Sequence, residues 1–104
     1  MGQYRVVQGS LKVATTEQSY TPDEDVMLHI ECTVERKDGL GAVFVWEVVY
    51  QIFDKGWKLI KEFTRAKSMA PWQDIDTAVE DFDVSIGRYS PGLLEGYVVV
   101  SARG

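Results

Sequence analysis

The sequence predicts an all-β protein, an antiparallel two-sheet β-sandwich of about seven strands. Apolar residues alternate with polar ones, and turn residues interrupt this pattern at regular spacing. The clearest alternation begins at Val26, after which every second residue as far as Val34 is apolar. No stretch carries the apolar spacing of an amphipathic helix. The length of 104 residues predicts a single domain covering residues 1–104.

The predicted strands are separated by residues that favour turns. Pro22 lies among aspartates in the first long turn, Gly39 marks a hairpin loop, and residues 54–56 form a tight turn. Residues 68–74 are predicted as an irregular crossing and residues 87–92 as a loop. The seven predicted strands cover residues 4–8, 11–16, 26–35, 42–53, 57–65, 77–86 and 94–102.

The phase of the alternation predicts the core. In the strand at 42–53, the even-numbered face is more apolar than the odd-numbered face, although both are too apolar for open water. The predicted core residues are Leu28, Ile30, Cys32, Trp46, Phe82 and Val84. The last strand is apolar on both faces, which is typical of a strand inside a sheet. We therefore predict that Tyr4–Gln8 pairs with residues 97–102, within the chain or across a dimer.

Two short motifs resemble those of a known class of domain. Residues 20–26, Tyr-Thr-Pro-Asp-Glu-Asp-Val, resemble the Tyr-x-Pro-Gly-Glu-x-Val turn of Ig-like domains of the macroglobulin or adhesion-module type, with Asp23 in place of glycine. Pro91-Gly92 followed by Gly96-Tyr97-Val98 resembles the entry to their penultimate strand. The resemblance implies a sandwich in which Tyr97 is similar to the corner tyrosine, whose hydroxyl bonds upstream backbone. It also implies a further strand, supplied here by residues 4–8 or by another chain.

Composition and charge exclude several classes of function. The net charge of −5 does not favour nucleic-acid binding, and no apolar run is long enough to span a membrane. One cysteine and one histidine are too few for a Cys/His zinc site, and His29 and Cys32 point to opposite faces of one strand. We therefore predict no enzyme activity, no cofactor and no metal. The lone cysteine and the absence of a signal peptide favour the cytoplasm, with a mature secreted domain as the alternative.

Charged residues form two groups. The acidic group, Asp74, Asp76, Glu80, Asp81 and Asp83, is predicted to be a solvated outer face, with calcium binding or a pair of catalytic carboxylates as alternatives. The basic group is Lys55, Lys58, Lys61, Arg65 and Lys67. It is predicted to guard an exposed sheet edge, with an acidic partner or the acidic strand of a second copy as the alternative.

Surplus apolar residues predict the function. Val43, Val45, Val49 and Phe53 on one strand, and Val98 and Val100 on another, are expected on outer faces, and such surfaces bind partners. Loop aromatics such as Trp57 and Trp72 form a binding platform or plug the end of the sandwich. We predict a non-enzymatic protein-binding or assembly module, contacting a protein partner or itself. Its predicted partner-binding residues are Val45, Val49, Phe53, Trp57, Trp72 and Tyr89. The alternative is a small intracellular proteinase inhibitor presenting loops 68–74 and 87–93.

Overall fold

The computed structural model describes residues 4–37, 44–69 and 75–103, and this part of the chain consists of strands and the loops that join them. The two-sheet antiparallel architecture predicted from the alternation is confirmed. The strands are β1 (Tyr4–Val6), β2 (Lys12–Thr15), β3 (Met27–Lys37), β4 (Phe44–Asp54), β5 (Leu59–Met69), β6 (Ile75–Ser85) and β7 (Gly96–Arg103).

The two sheets are built around β3 and β4. In the first sheet, β3 pairs with β6 along one side and with β1 and β2 along the other. In the second sheet, β4 lies between β5 and β7. The largest boundary difference is in β5, which continues to Met69, so the predicted crossing begins inside a strand. The predicted hairpin loop and the rest of the crossing, at 38–43 and 70–74, lie outside the described residues.

The prediction that the N-terminal segment pairs with β7 of the same chain is wrong, and its pairing across a dimer stays a prediction. β1 pairs with β3, with Tyr4 opposite Arg36 and Val6 opposite Val34, and β7 is not its partner. Between β1 and β2, the five residues 7–11 lie opposite only two residues of β3, 32 and 33. The chain therefore bulges outward here before β2 pairs with the same edge of β3. Gly9 lies at this bulge with a φ of 80°, which a side chain would disfavour.

Hydrogen bonds and an ion pair fix this pairing. The Val7 amide donates to the Thr33 carbonyl, and the Ser10 hydroxyl accepts from the Thr33 amide. Arg5 forms an ion pair with Glu35. These contacts all lie within the first sheet, and they explain why β1 pairs with β3 rather than with β7. The Cα atoms of β1 and β7 still come within 8 Å of each other, without a shared ladder.

The core lies between the facing sides of the two sheets. Leu28, Ile30 and Cys32 are buried as predicted, and Phe82 and Val84 are partly buried against them. The even-numbered face of β4 is confirmed as the core face; the side chain of Trp46 is outside the described residues. Among the residues whose side chains the structure describes, the buried ones are Val26, Leu28, Ile30, Cys32, Val34, Val48, Tyr50, Ile52, Glu80 and Ile86.

The predicted orientation of the valine side chains in β7 is wrong. Val98 and Val100, expected on an outer face, pack against the core, while Tyr97 and Val99 are exposed. The reason is the register with β4, which places Val98 opposite Ile52 and Val100 opposite Tyr50, both core residues. Since paired residues of an antiparallel sheet share a face, the two valines must point inward.

Burial of Cys32 predicts that its thiol reacts slowly in the native protein. Its side chain is 2 % exposed and its Sγ lies 3.6 Å from the Tyr50 hydroxyl. A thiol reagent is therefore expected to label the native protein slowly and the protein in denaturant quickly, because only the accessible thiolate reacts. The rate of labelling, followed by mass spectrometry with and without denaturant, checks this. Equal rates in the two conditions would contradict the burial.

Candidate functional site

The sandwich has two sides where strand edges of the two sheets face each other, one between β5 and β6 and one between β2 and β7. Polar and charged side chains bridge the sheets on the β5–β6 side. β5 and β6 lie at the sheet edges on this side in the described part of the chain. Lys61, Arg65 and Lys67 of the basic group belong to β5, whereas Lys55 and Lys58 precede it. Arg65 Nε bonds Glu80 Oε1 across the sheets at 2.9 Å, and Lys61 Nζ donates to the Ser85 carbonyl at 3.0 Å. Arg65 of the basic group thus pairs with Glu80 of the acidic group in the same chain.

The second open side, between β2 and β7, is an apolar groove. We call it the β2–β7 groove. No described strand pairs with the side of β7 that faces away from β4. Core side chains such as Leu28 and Ile52 are reached through this opening. Its walls are Val13, Thr15, Leu28, Ile52, Phe53, Ile60, Ile86, Leu94, Glu95, Gly96, Tyr97 and Val98.

The groove continues towards the loops at one end of the sandwich. There it passes between the loop after β2 and the loop before β7, with Thr15 and Leu94 common to both parts. Tyr20 and Tyr89 line this end. The Tyr20 hydroxyl donates to the Met27 carbonyl at 3.2 Å, so it holds its loop against β3. The groove is therefore a continuous surface bordered by two loops.

Tyr89, a predicted partner-binding residue, lies in this part of the groove. Its hydroxyl donates to the Ile86 carbonyl at 2.7 Å, and burial raises the pKa of the phenol above its usual value. Nearby, Leu94 is 40 % exposed and Leu93 is 86 % exposed. Tyr89 is thus a fixed wall residue, while the two leucines present apolar surface to solvent.

An aromatic cluster covers the start of β7 on the outer face of the second sheet. The rings of Trp57 and Tyr97 stack with centroids 4.0 Å apart, and Phe53 lies 5.4 Å from Trp57. Trp57 has a φ of 63° because it ends the tight turn that Asp54 closes. The expectation that Trp57 plugs the sandwich end is wrong, since the ring lies flat on Tyr97. The Tyr97 ring therefore lies on the outer face of the second sheet. This differs from the expected corner tyrosine, whose hydroxyl would bond to upstream backbone.

The six predicted partner-binding residues do not form one surface. Phe53, Trp57 and Tyr89 lie along or beside the β2–β7 groove, whereas Val49 is half-buried farther along the outer face of β4. Val45 belongs to β4, but its side chain is outside the described residues, and Trp72 lies outside them altogether. Leu94 and Val13 of the groove were missed, because nothing in the sequence tells which sheet edges remain open.

A polar network crosses the core. The prediction that Glu80 is a solvated residue is wrong: it is 1 % exposed, and its Oε1 accepts hydrogen bonds from the Tyr50 hydroxyl and from Arg65 Nε at 3.0 and 2.9 Å. Burial is the main cause that raises the pKa of the Tyr50 phenol far above its usual value. The Arg65 guanidinium also lies 4.3 Å from the centre of the Phe82 ring. The network ties the two sheets together.

His29 is surrounded by carboxylates on the outer face of the first sheet. The β3–β6 register places His29 opposite Asp83 and Glu31 opposite Asp81. His29 Nδ1 lies 2.6 Å from an Asp83 oxygen, while Nε2 lies 3.1 Å from an oxygen of Glu31 and 3.1 Å from an oxygen of Asp81. These ligand atoms of His29, Glu31 and Asp81 all lie within 4.8 Å of one another, so they are a set that can hold a metal ion.

The carboxylates predict a pH-dependent contribution of His29 to stability. Its pKa is raised, first by the hydrogen bond to Asp83 and then by that to Glu31. A raised pKa in the folded state means that the stabilisation is fully present below the ordinary value of about 6.5 and is lost as the pH rises through the raised pKa. The variant His29→Gln is therefore expected to be less stable than the parent near pH 6, with the difference shrinking as the pH increases.

Urea unfolding at several pH values, with a chelator present, measures this difference. The variant Glu62→Gln, which changes an exposed carboxylate on β5, is the control, and its effect should not follow the same pH profile. A His29→Gln effect that grows with pH, or does not change with it, would contradict the assignment.

Comparison with known proteins identifies no relative: no family model, no curated protein and no solved structure matches the chain. Among the described residues, no helix is long and apolar enough to cross a membrane.

Proposed function

We propose that this protein is a non-enzymatic binding module that captures an extended segment of a partner protein in the β2–β7 groove. The added segment would pair with the free edge of β7 and continue the second sheet beyond β5, β4 and β7. Its inward side chains would enter the groove beneath β2. The single observation that carries the proposal is that this groove is apolar and lies beside an unpaired strand edge in the described part of the chain.

The contrast between the two open sides supports this assignment. Unpaired strand edges are prone to add further strands, and proteins commonly protect them with charged side chains. The β5–β6 side has such protection from Arg65 and Lys61, which bridge the two sheets. The β2–β7 side is instead lined by valine, leucine and isoleucine side chains. An edge of this kind suits recognition by strand addition, in which main-chain bonds supply affinity and alternate side chains supply specificity.

Charge indicates the chemistry of the partner segment. Glu17 and Glu95 are the charged residues among those that line the groove, and both are acidic. A segment with alternating apolar residues and a basic residue at its ends complements this lining. A basic flank also suits a chain with a net charge of −5, because opposite charges speed the encounter.

The resemblance to Ig-like domains fits the same proposal. The strand orders β5-β4-β7 and β1/β2-β3-β6 of the described residues are compatible with an Ig-like sandwich, which supports the resemblance. We therefore include in the proposal that the sandwich is an Ig-like domain of the macroglobulin or adhesion-module type. The inhibitor hypothesis stays a prediction: residues 70–74 are outside the described part of the chain, and residues 89–93 border the groove.

A peptide titration tests the proposal. The probe is a blocked peptide, Lys-Val-Thr-Val-Thr-Val-Lys, whose valines share one face of a strand. Its binding is followed by backbone amide NMR shifts of the full chain. Shifts are expected along β7 and β2. The variant Leu94→Lys should weaken binding at least about tenfold, which corresponds to about 1.4 kcal/mol, because it places a charge in the apolar groove.

Matched controls separate strand capture from general stickiness. The variant Leu59→Lys changes a leucine of similar exposure, 45 % against 40 % for Leu94, on the opposite edge strand, and binding should be retained. A peptide with glutamate ends, and one with proline in place of the central valine, should bind much more weakly. Equal binding of the three peptides would refute the proposal. A dimer that the peptide dissociates, seen by sedimentation, would show that a second copy occupies the groove and would contradict a foreign partner.

A further inference from the structure

We propose that His29, Glu31 and Asp81 form a binding site for a divalent transition-metal ion of the zinc type, on the outer face of the first sheet. The site is separate from the β2–β7 groove, since its residues belong to β3 and β6 and their side chains point away from the core. Imidazole nitrogen with carboxylate oxygen is a donor set that zinc and its neighbours accept.

The distances from His29 Nε2 to the two carboxylate oxygens fit the coordination sphere of such an ion. With metal–ligand bonds of about 2.0 Å, two ligands of a tetrahedral zinc lie about 3.3 Å apart. His29 Nε2 lies 3.1 Å from an oxygen of Glu31 and 3.1 Å from an oxygen of Asp81. The three ligand atoms lie within 4.8 Å of one another, so the two carboxylates would close towards the ion, and exposure of the face leaves the remaining position for water. Calcium is a poorer match because it requires six to eight oxygens at longer distances.

Asp83 holds the imidazole in the orientation that the ion needs. Its carboxylate lies 2.6 Å from His29 Nδ1, on the opposite side of the ring from Glu31 and Asp81. A histidine that donates one N–H to a carboxylate presents its other nitrogen as a lone pair to a metal. Asp83 is thus a positioning residue in this site.

The strand register brings the four side chains of the site together and makes it strongly negative. Glu31 and Asp81 face each other on adjacent strands, as do His29 and Asp83. Three carboxylates surround one imidazole, and the nearest basic residue by register is Lys12, opposite Glu31 on β2. A dication compensates this excess of negative charge better than the single proton that His29 can add.

Calorimetric titration of the full chain with zinc chloride tests the site. We expect one bound zinc per chain, with release of protons as the pH is lowered towards the range in which the imidazole is protonated. His29→Gln should abolish this binding, and Asp83→Asn should weaken it about 10- to 100-fold, as is usual for a residue that orients a metal-bound histidine. Lys12→Gln should strengthen it.

The control is Glu62→Gln. Like Asp83→Asn, it removes one carboxylate charge, but from the outer face of the other sheet, and it should leave zinc affinity unchanged. The imidazole nitrogen shifts of His29 provide a second readout: zinc should move the Nε2 resonance and leave Nδ1 protonated. Melting curves of each variant check that it is folded. Zinc binding of equal strength in the parent and in His29→Gln, or no heat in the parent, would overturn the proposal.

Discussion

Replacing Gly96 by alanine is expected to lower stability by about 1–3 kcal/mol, the usual cost of forcing an extra group into a packed site. A Cβ at this position would lie 2.3 Å from the Phe53 carbonyl oxygen, which is backbone and cannot rotate away. The start of β7 would have to move off β4, and the Trp57–Tyr97 stack would move with it. For a chain of this length, a loss of that size lowers the melting temperature by roughly 10 °C.

Thermal unfolding followed by circular dichroism measures the effect. Ser101→Ala, an exposed change on the same strand, is the control and should stay within about 0.5 kcal/mol of the parent. Because Gly96 also lines the β2–β7 groove, the alanine variant should bind the strand peptide more weakly than Ser101→Ala does. A Gly96→Ala protein as stable as the parent would mean that β7 does not approach β4 as closely as described.

Arg65→Met should destabilise the protein by about 2 kcal/mol. The change keeps an unbranched apolar stem near Phe82 but removes the guanidinium from Glu80, a carboxylate that is 1 % exposed. Removing one partner of a fully buried pair costs about 3–5 kcal/mol, and an exposed pair contributes about 0–1 kcal/mol. The Arg65 side chain is 42 % exposed, so its contribution is expected between these limits.

The double variant Arg65→Met/Glu80→Met distinguishes this cause from lost packing. If the cost comes from a buried charge, the double variant should regain part of the stability that Arg65→Met loses, because no carboxylate remains in the core. Lys61→Met, on the same strand, should cost less than about 1 kcal/mol. Urea unfolding of the parent, Arg65→Met, Glu80→Met, the double variant and Lys61→Met gives the five free energies. A double variant that loses the sum of the two single losses would contradict the explanation.

The predictable part of this fold is the part set by local alternation. In β3 and β4, side chains two residues apart share a face, so burial of Ile30, Cys32 and Tyr50 follows from the pattern alone. Glu80 carried the same signal, two residues before Phe82 on the inward face. Its charge and its acidic neighbours favoured a solvated position, whereas the contacts with Tyr50 and Arg65 of the other sheet account for its burial.

Features that depend on strand pairing could not be predicted in the same way. The cluster around His29 arises because β6 pairs with β3 in one register, which brings Asp81 and Asp83 beside it from more than fifty residues away. β1 and β2 pair with the same edge of β3 and are joined by a short bulge, which alternation does not encode. The β2–β7 groove is a consequence of which edges remain unpaired, and that is a property of the whole topology.

The central claim, that β7 receives an added strand, is tested most directly by amide hydrogen exchange. The amides of β7 that point away from β4 are expected to exchange quickly in the free protein and to become protected when the Lys-Val-Thr-Val-Thr-Val-Lys peptide is bound, because they would then donate to its carbonyls. The outward amides of β5, the charged edge, should exchange at the same rate with and without peptide. Protection that appears on β5 instead, or no protection on β7 at saturating peptide, would contradict the account.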